Sequence, residues 1–220
     1  MFIVSALFVL AASSASADDA IEITDRPISF DKERVRLTIA YRRIHQDPAA
    51  DSIEITPKLI VIHYTGGSSM KSTWRYFNKT RLTGRKKLQK AGAVNVSAHF
   101  LVARNGDIQR LLPETTMGRH TIGLNHLAIG IENVGDGDKH PLTNAQLEAN
   151  AKLVRYLAGK HAITHLIGHH EYRRMEAHDY WLERDPNYRN RKPDPGPKFM
   201  AKLRARVESL ELEGAPDSNK

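Results

Sequence analysis

The 220-residue chain carries 33 Lys and Arg against 25 Asp and Glu, a formal net charge of +8, and no cysteine. That length suits one sizeable hydrophobic core rather than two. The missing cysteines exclude disulfide frameworks, thiolate metal sites, cysteine nucleophiles and a lipidated N-terminal cysteine, so any metal must be held by His, Asp or Glu.

The chain opens with an apolar run, Phe2 to Ala12, then small residues and the triplet Ala15-Ser16-Ala17. This is the pattern of a cleaved secretory signal over residues 1–17, although no Lys or Arg precedes the run. The run is too short to span a bilayer, and no other segment is long and apolar enough to be transmembrane. Residues 1–17 carry no charge, so the mature chain keeps the whole +8. An exported basic protein is drawn to anionic polymers, which in a bacterial envelope are cell-wall glycans and lipid head groups. Nucleic acid is the usual partner of such a charge, but export and the lack of an aromatic-basic recognition pattern argue against it.

Residues 18 to 29 read as an extended lead-in punctuated by Pro27. The string SFDKERVRLTIAYRRIHQ then places Val35, Leu37, Ile39 and Ile44 near helical spacing behind Ser29 and Asp31, predicting a helix with a basic face that ends before Pro48. The run 59-LIVIHYT-65, bounded by Pro57 and Gly66-Gly67, predicts a buried strand. A helix is expected from Ser69 to about Thr80, then a basic loop over 81–93. In 98-AHFLVARNGDIQRLL-112 two apolar runs flank Asn105-Gly106, a strong hairpin signal. A second buried strand is predicted over 127–135, and an amphipathic helix from Thr143 to Gly159 with Leu147, Val154 and Leu157 inward. A short strand over 163–169, a polar loop over 170–193, a helix from Pro197 to about Leu210 and a disordered polar tail complete the series. Alternating strands and helices around a hairpin imply an α/β fold, a central mixed sheet flanked by helices in a single domain.

Among 11 histidines, His63 and His169 stand out because each lies at the C-terminal end of a predicted strand, where ligand sites collect in α/β sheets. Two such imidazoles and a carboxylate would leave a fourth position open for water, the layout of catalytic zinc. Asp194, between two prolines in 189-RNRKPDPGPKF-199, is a rigidly placed acid with Lys192 two residues before it. Adjacent strand residues point to opposite faces, so at most one of His169 and His170 reaches a site shared with His63, and spacing alone does not choose. No HExxH is present, which excludes a helix-based zincin site.

The set 59-LIVIHYTGG-67, 97-SAHFLVARNGDIQRLLPE-114, 118-GRHTIGLNHLAIGIENVG-135, 166-LIGHHE-171 and 191-RKPDPGPKF-199 resembles, in order, the type 2 N-acetylmuramoyl-L-alanine amidases, zinc enzymes related to peptidoglycan recognition proteins. The resemblance implies a peptidoglycan-recognition-protein-like fold, and with the patterns above it divides the chain into a signal peptide (1–17), an N-terminal extension with one helix (18–56), a zinc amidase domain (57–210) and a disordered tail (211–220). It makes His63, His169 and Asp194 the zinc ligands and matches Glu132 and Lys192 to the catalytic residues. His99, His120 and Asn125 match positions that line the substrate groove in relatives. The substrate implied is peptidoglycan or a muropeptide, acted on by an exported, periplasmic or secreted monomer.

These residue types suit amide hydrolysis. Zinc acidifies a bound water from about 15.7 to about 7 and polarises the carbonyl, Glu132 moves the proton, and Lys192 offers charge to the oxyanion. The rival within the resemblance is a recognition module that binds peptidoglycan without cutting it. Two features depart from many relatives: Arg119 stands where they have Trp, and the loop from Glu171 to Asn190, with Tyr172, Tyr180, Trp181 and Tyr188, is longer than in the compact recycling enzymes.

Overall fold

The computed structural model describes residues 21–217, so the signal expected over residues 1–17 lies outside the described residues. Strands β1 (Ile23–Asp25), β2 (Leu59–Tyr64), β3 (Phe100–Val102), β4 (Ile108–Arg110), β5 (Ala128–Asn133) and β6 (His165–Gly168) form one mixed sheet in the order β1-β4-β3-β5-β2-β6. Only β3 and β4 pair antiparallel; the other neighbours run parallel. The helices are α1 (Lys32–His45), α2 (Met70–Asn78), the short α3 (Lys86–Lys90), α4 (Asn144–Lys160) and α5 (Pro197–Arg206).

In β2, Ile60 and Ile62 enter the core beneath α4 and α5, while Leu59 and Val61 enter the core on the opposite face. Both faces are covered, which is why the segment reads as an unbroken apolar run. The Asn-Gly hairpin forms as predicted: Gly106 takes φ 97°, a left-handed conformation open to glycine, and a Cβ there would lie 3.1 Å from the Ala145 carbonyl. The start of α4 is a capping box in which the Thr143 hydroxyl accepts from Gln146 N (3.1 Å) and Gln146 Oε1 accepts from Thr143 N (3.0 Å). Leu147, Val154 and Leu157 are buried as expected.

Several elements differ from the sequence reading. The lead-in contributes β1, an edge strand paired with β4 and tied to it by an Asp25–Arg110 ion pair (2.7 Å). Helix α1 turns Leu37 and Tyr41 inward, but its remaining inward positions are Arg34, Thr38 and His45, whereas Ile44 is exposed. Two of these residues reach carbonyls: Arg34 donates through Nη2 to those of Phe77 and Lys79, and His45 Nε2 meets that of Ala91 at 2.6 Å. The polar loop begins as a 3-10 helix, His169–Ala177, and α5 ends at Arg206 with a further 3-10 turn at Glu208–Leu210. The tail from Glu211 to Asp217 is docked rather than loose. Glu213 N donates to the Thr164 carbonyl, its own carbonyl accepts from Leu166 N, and Ala215 is buried.

Candidate metal centre

Because β2, β5 and β6 run parallel, their C-terminal ends meet on one edge. His63, the fifth residue of β2, is in register with Glu132 of β5, and Gly168 at the end of β6 is in register with Ile62. The residue after Gly168, His169, therefore falls beside His63. Asp194 arrives from the proline-bounded segment ahead of α5. His63 Nδ1 lies 2.8 Å from His169 Nδ1, His169 Nδ1 lies 3.0 Å from Asp194 Oδ2, and the third side of the triangle is 3.3 Å. All three residues are buried.

A tetrahedral zinc with donors at about 2.0–2.1 Å needs donor–donor edges of about 3.3 Å. The three atoms thus outline a slightly contracted face of such a tetrahedron, and two imidazoles with one carboxylate are a donor set that zinc accepts. Among the described residues this is the cluster of His, Asp and Glu whose ligand atoms all approach within 4.8 Å. His170 takes no part in the triangle. Its main-chain N and its Nδ1 both approach the Asp194 carbonyl oxygen, at 2.7 and 3.2 Å, so it secures the segment that carries Asp194. A Cβ on Gly168 would come within 2.7 Å of the His170 ring, which accounts for glycine there.

Burial opposes the charge on Asp194, but its contacts with His169 first and His63 second outweigh this and hold the carboxylate far below the usual range. Burial, reinforced by His63, lowers His169 to about 3, leaving its ring neutral and able to donate a lone pair. Glu132 is pushed up to about 7, chiefly by burial; His63 and Lys192 work against this and Asp194 with it. Its Oε2 is buried with no hydrogen-bond partner among the described residues. Burial also lowers Lys192, with Arg85 adding to the effect and Asp194 and Glu132 opposing it. A carboxyl raised toward neutrality and an ammonium lowered toward it line one cavity of about 350 Å³ together with the three donors, which suits proton transfer beside a Lewis acid.

The residues expected to line the groove divide. His99 does not reach it: the side chain is fully buried, its Nε2 meets the Thr116 carbonyl at 2.8 Å and its Nδ1 accepts from Gly130 N at 3.0 Å. It is a core histidine that fastens β5 to the segment around Thr116. Asn125 borders the cavity, but its Oδ1 accepts from His120 N (2.9 Å) and Thr121 N (2.8 Å), so it shapes the loop rather than offering its carbonyl to a ligand. His120 lines the cavity and also touches His63, its Nδ1 lying 3.1 Å from His63 Nε2.

The sequence reading missed Arg119 as an organiser of the cavity wall. Its guanidinium is buried, stacks on Tyr41 of α1 at 4.7 Å, and donates to the Leu88, Gly92 and Val94 carbonyls and to the Tyr188 hydroxyl. It joins the basic loop, the N-terminal helix and the 171–190 segment in one wall. The departure from Trp at this position was the only signal in the sequence.

Residues 54–197 match the family model described as N-acetylmuramoyl-L-alanine amidase. The chain is similar to peptidoglycan recognition protein 3 of Mus musculus, 26% identical over 120 residues, which is 53% of this chain and 35% of the relative, so it spans about a third of that protein's length. Its fold is similar to that of the N-acetylmuramoyl-L-alanine amidase LysC from Clostridium intestinale URNW, at 22% identity and TM-score 0.53 over 88% of this chain and 100% of the other. It is similar also to a selenomethionine derivative of AmpD, at 22% identity and TM-score 0.54 over 88% of this chain and 99% of the other. At such identities the structural likeness establishes the fold.

Proposed function

The chain belongs to the N-acetylmuramoyl-L-alanine amidase family, and from that premise we propose that it is a zinc-dependent hydrolase acting on the amide between the lactyl group of N-acetylmuramic acid and L-alanine of peptidoglycan. The observation that carries this reading is the convergence of His63, His169 and Asp194 donors within 3.3 Å of one another at the floor of a cavity that also holds the unpartnered Glu132 carboxyl. A zinc ion held by those three residues supplies Lewis acidity to the amide carbonyl and to an attacking water.

The chain's own residues do the rest. Glu132 accepts a proton from the attacking water as the C–O bond forms, and returns it to the alanine nitrogen as the C–N bond breaks. Burial raises this carboxyl above its ordinary range, which suits it to take up a proton and give it back. Lys192 brings positive charge to the wall where the carbonyl oxygen becomes anionic. Asp194 stays ionised throughout, because the two histidines hold its carboxylate. We place this activity outside the cytoplasm on the strength of residues 1–17, whose apolar run and A-x-A triplet support export.

The test is metal content of the purified protein together with digestion of muropeptides and sacculi, with and without chelator. One zinc per chain and chelator-sensitive release of free stem peptide are expected. Bound zinc without release from any substrate would favour a peptidoglycan recognition module, and absence of zinc would remove the ligand assignment.

A further inference from the structure

We propose that His120 is a positioning residue that sets the tautomer of His63, through a hydrogen-bond relay anchored on the Ala128 main-chain carbonyl. The inference rests on the reading of His63 as a metal ligand and replaces the expected role of His120 in contacting substrate.

The relay follows from counting donors and acceptors. His120 Nε2 lies 3.1 Å from the Ala128 carbonyl oxygen. A carbonyl only accepts, so Nε2 carries the hydrogen and Nδ1 of the neutral ring is left as an acceptor. That Nδ1 faces His63 Nε2 at 3.1 Å and the Thr121 hydroxyl at 2.9 Å, and the hydroxyl lies 3.4 Å from His63 Nε2. Were His63 Nε2 also bare, two nitrogen lone pairs would oppose each other at hydrogen-bond distance. His63 Nε2 must therefore donate, either to His120 Nδ1 or to the hydroxyl, whose own hydrogen then passes to His120 Nδ1. Both routes place the His63 lone pair on Nδ1, the atom that faces His169 Nδ1 and Asp194 Oδ2. A ligating histidine whose remote N–H is held in this way keeps both its tautomer and its orientation.

The fold makes room for this contact. A Cβ on Gly130 would come within 2.8 Å of Cγ and Nδ1 of His120, so the glycine two residues before Glu132 leaves the space in which the ring lies. Asn125 holds the main chain of His120 and Thr121, and the His99 ring stands against His120 edge to face, with centroids 5.7 Å apart. Every residue expected to line the groove around His120 thus acts on where its imidazole sits.

The test reads tautomers directly. In protein labelled with ¹⁵N-histidine, long-range ¹H–¹⁵N correlation at neutral pH should show His63 and His120 protonated on Nε2, before and after zinc is added. His120→Leu, which fills the space without an acceptor, should let His63 redistribute between tautomers and weaken zinc binding by about 10–100-fold in a chelator competition. His120→Asn, whose Oδ1 stands near the lost Nδ1, should recover most of that loss. A His63 protonated on Nδ1 in the wild type overturns the proposal, as does a His120→Leu protein with wild-type zinc affinity and a changed KM alone, the signature of substrate contact. Should His120→Leu fail to fold, the wild-type tautomers decide. A wild type that shows both Nε2 protons yet binds no zinc would support the relay while removing the metal reading beneath it.

Discussion

Replacing Glu132 by Gln should stabilise the zinc-free protein while removing its hydrolytic turnover. Burial keeps this carboxyl at about 7 against an ordinary 4.5, despite the favourable charges of His63 and Lys192. The folded state then binds the proton more tightly than the unfolded chain does, so the associated stability is intact below about pH 4.5 and is lost as pH rises to about 7. At about 1.4 kcal/mol per pH unit, holding the ionised carboxylate in place above that window costs the fold about 3 kcal/mol. A glutamine of the same shape is neutral at every pH and escapes the cost.

Chelator-treated wild type and Glu132→Gln should therefore show matching urea midpoints at pH 4 and a widening gap toward pH 8. There the variant should be more stable by about 3 kcal/mol, or about 6–12 °C in melting temperature for a chain of this size. Peptidoglycan hydrolysis by the zinc-loaded variant should fall by about 10²–10⁴, the usual worth of a positioned general base. A stability difference that is constant from pH 4 to pH 8, or a wild type more stable than the variant at pH 8, would refute the claim that burial without a partner is what raises Glu132.

Other substitutions probe the supports of the site. Asp194→Ala leaves two imidazoles without the carboxylate, and zinc content after dialysis should fall from about one ion per chain to near zero. Gly123 sits at φ 77° with the Trp181 ring where a Cβ would be, 2.5 Å away, so Gly123→Ala should cost about 2–4 kcal/mol and shift the tryptophan emission; an unchanged urea midpoint would count against that packing. Truncation after Leu210 removes the main-chain hydrogen bonds of Glu213 to Thr164 and Leu166 along with buried Ala215, and should lower stability by about 2–3 kcal/mol in the same denaturation assay.

The elements legible in the sequence are those whose environment repeats along the chain. The strands β2 and β5 are buried on both faces and read as apolar runs, Asn105-Gly106 marks the hairpin, and α4 announces itself through Thr143 and its inward leucines. Strand β1 was not legible because three residues, Ile-Thr-Asp, carry no period, and their pairing with Ile108–Arg110 depends on a partner some 85 positions away. The tail was misread for a similar reason. Its polar sequence says nothing of main-chain bonds to Thr164 and Leu166 or of Arg174 donating to the Ala215 and Pro216 carbonyls.

The same distinction governs the site. Strand ends and a rigid acid pointed to His63, His169 and Asp194, but spacing left His169 and His170 unresolved. The difference lies in where each ring goes: one to the donor triangle, the other to the Asp194 carbonyl. His99, Asn125 and Arg119 show why a motif residue need not touch a ligand. His99 and Arg119 have their polar atoms engaged by main-chain groups far along the chain, contacts that leave no mark on local sequence, while Asn125 is engaged by the main-chain N–H groups of His120 and Thr121 in its own loop. Helix α1 follows this logic outside the family match, since its buried Arg34 and His45 hold the carbonyls of Phe77, Lys79 and Ala91, while His45 Nδ1 meets Glu183 at 2.8 Å. The N-terminal extension is thereby joined to the segments that wall the cavity, and its Tyr41 borders the cavity itself. Its inward face is polar because it binds irregular backbone, whose donors and acceptors an apolar helix face would leave unpaired.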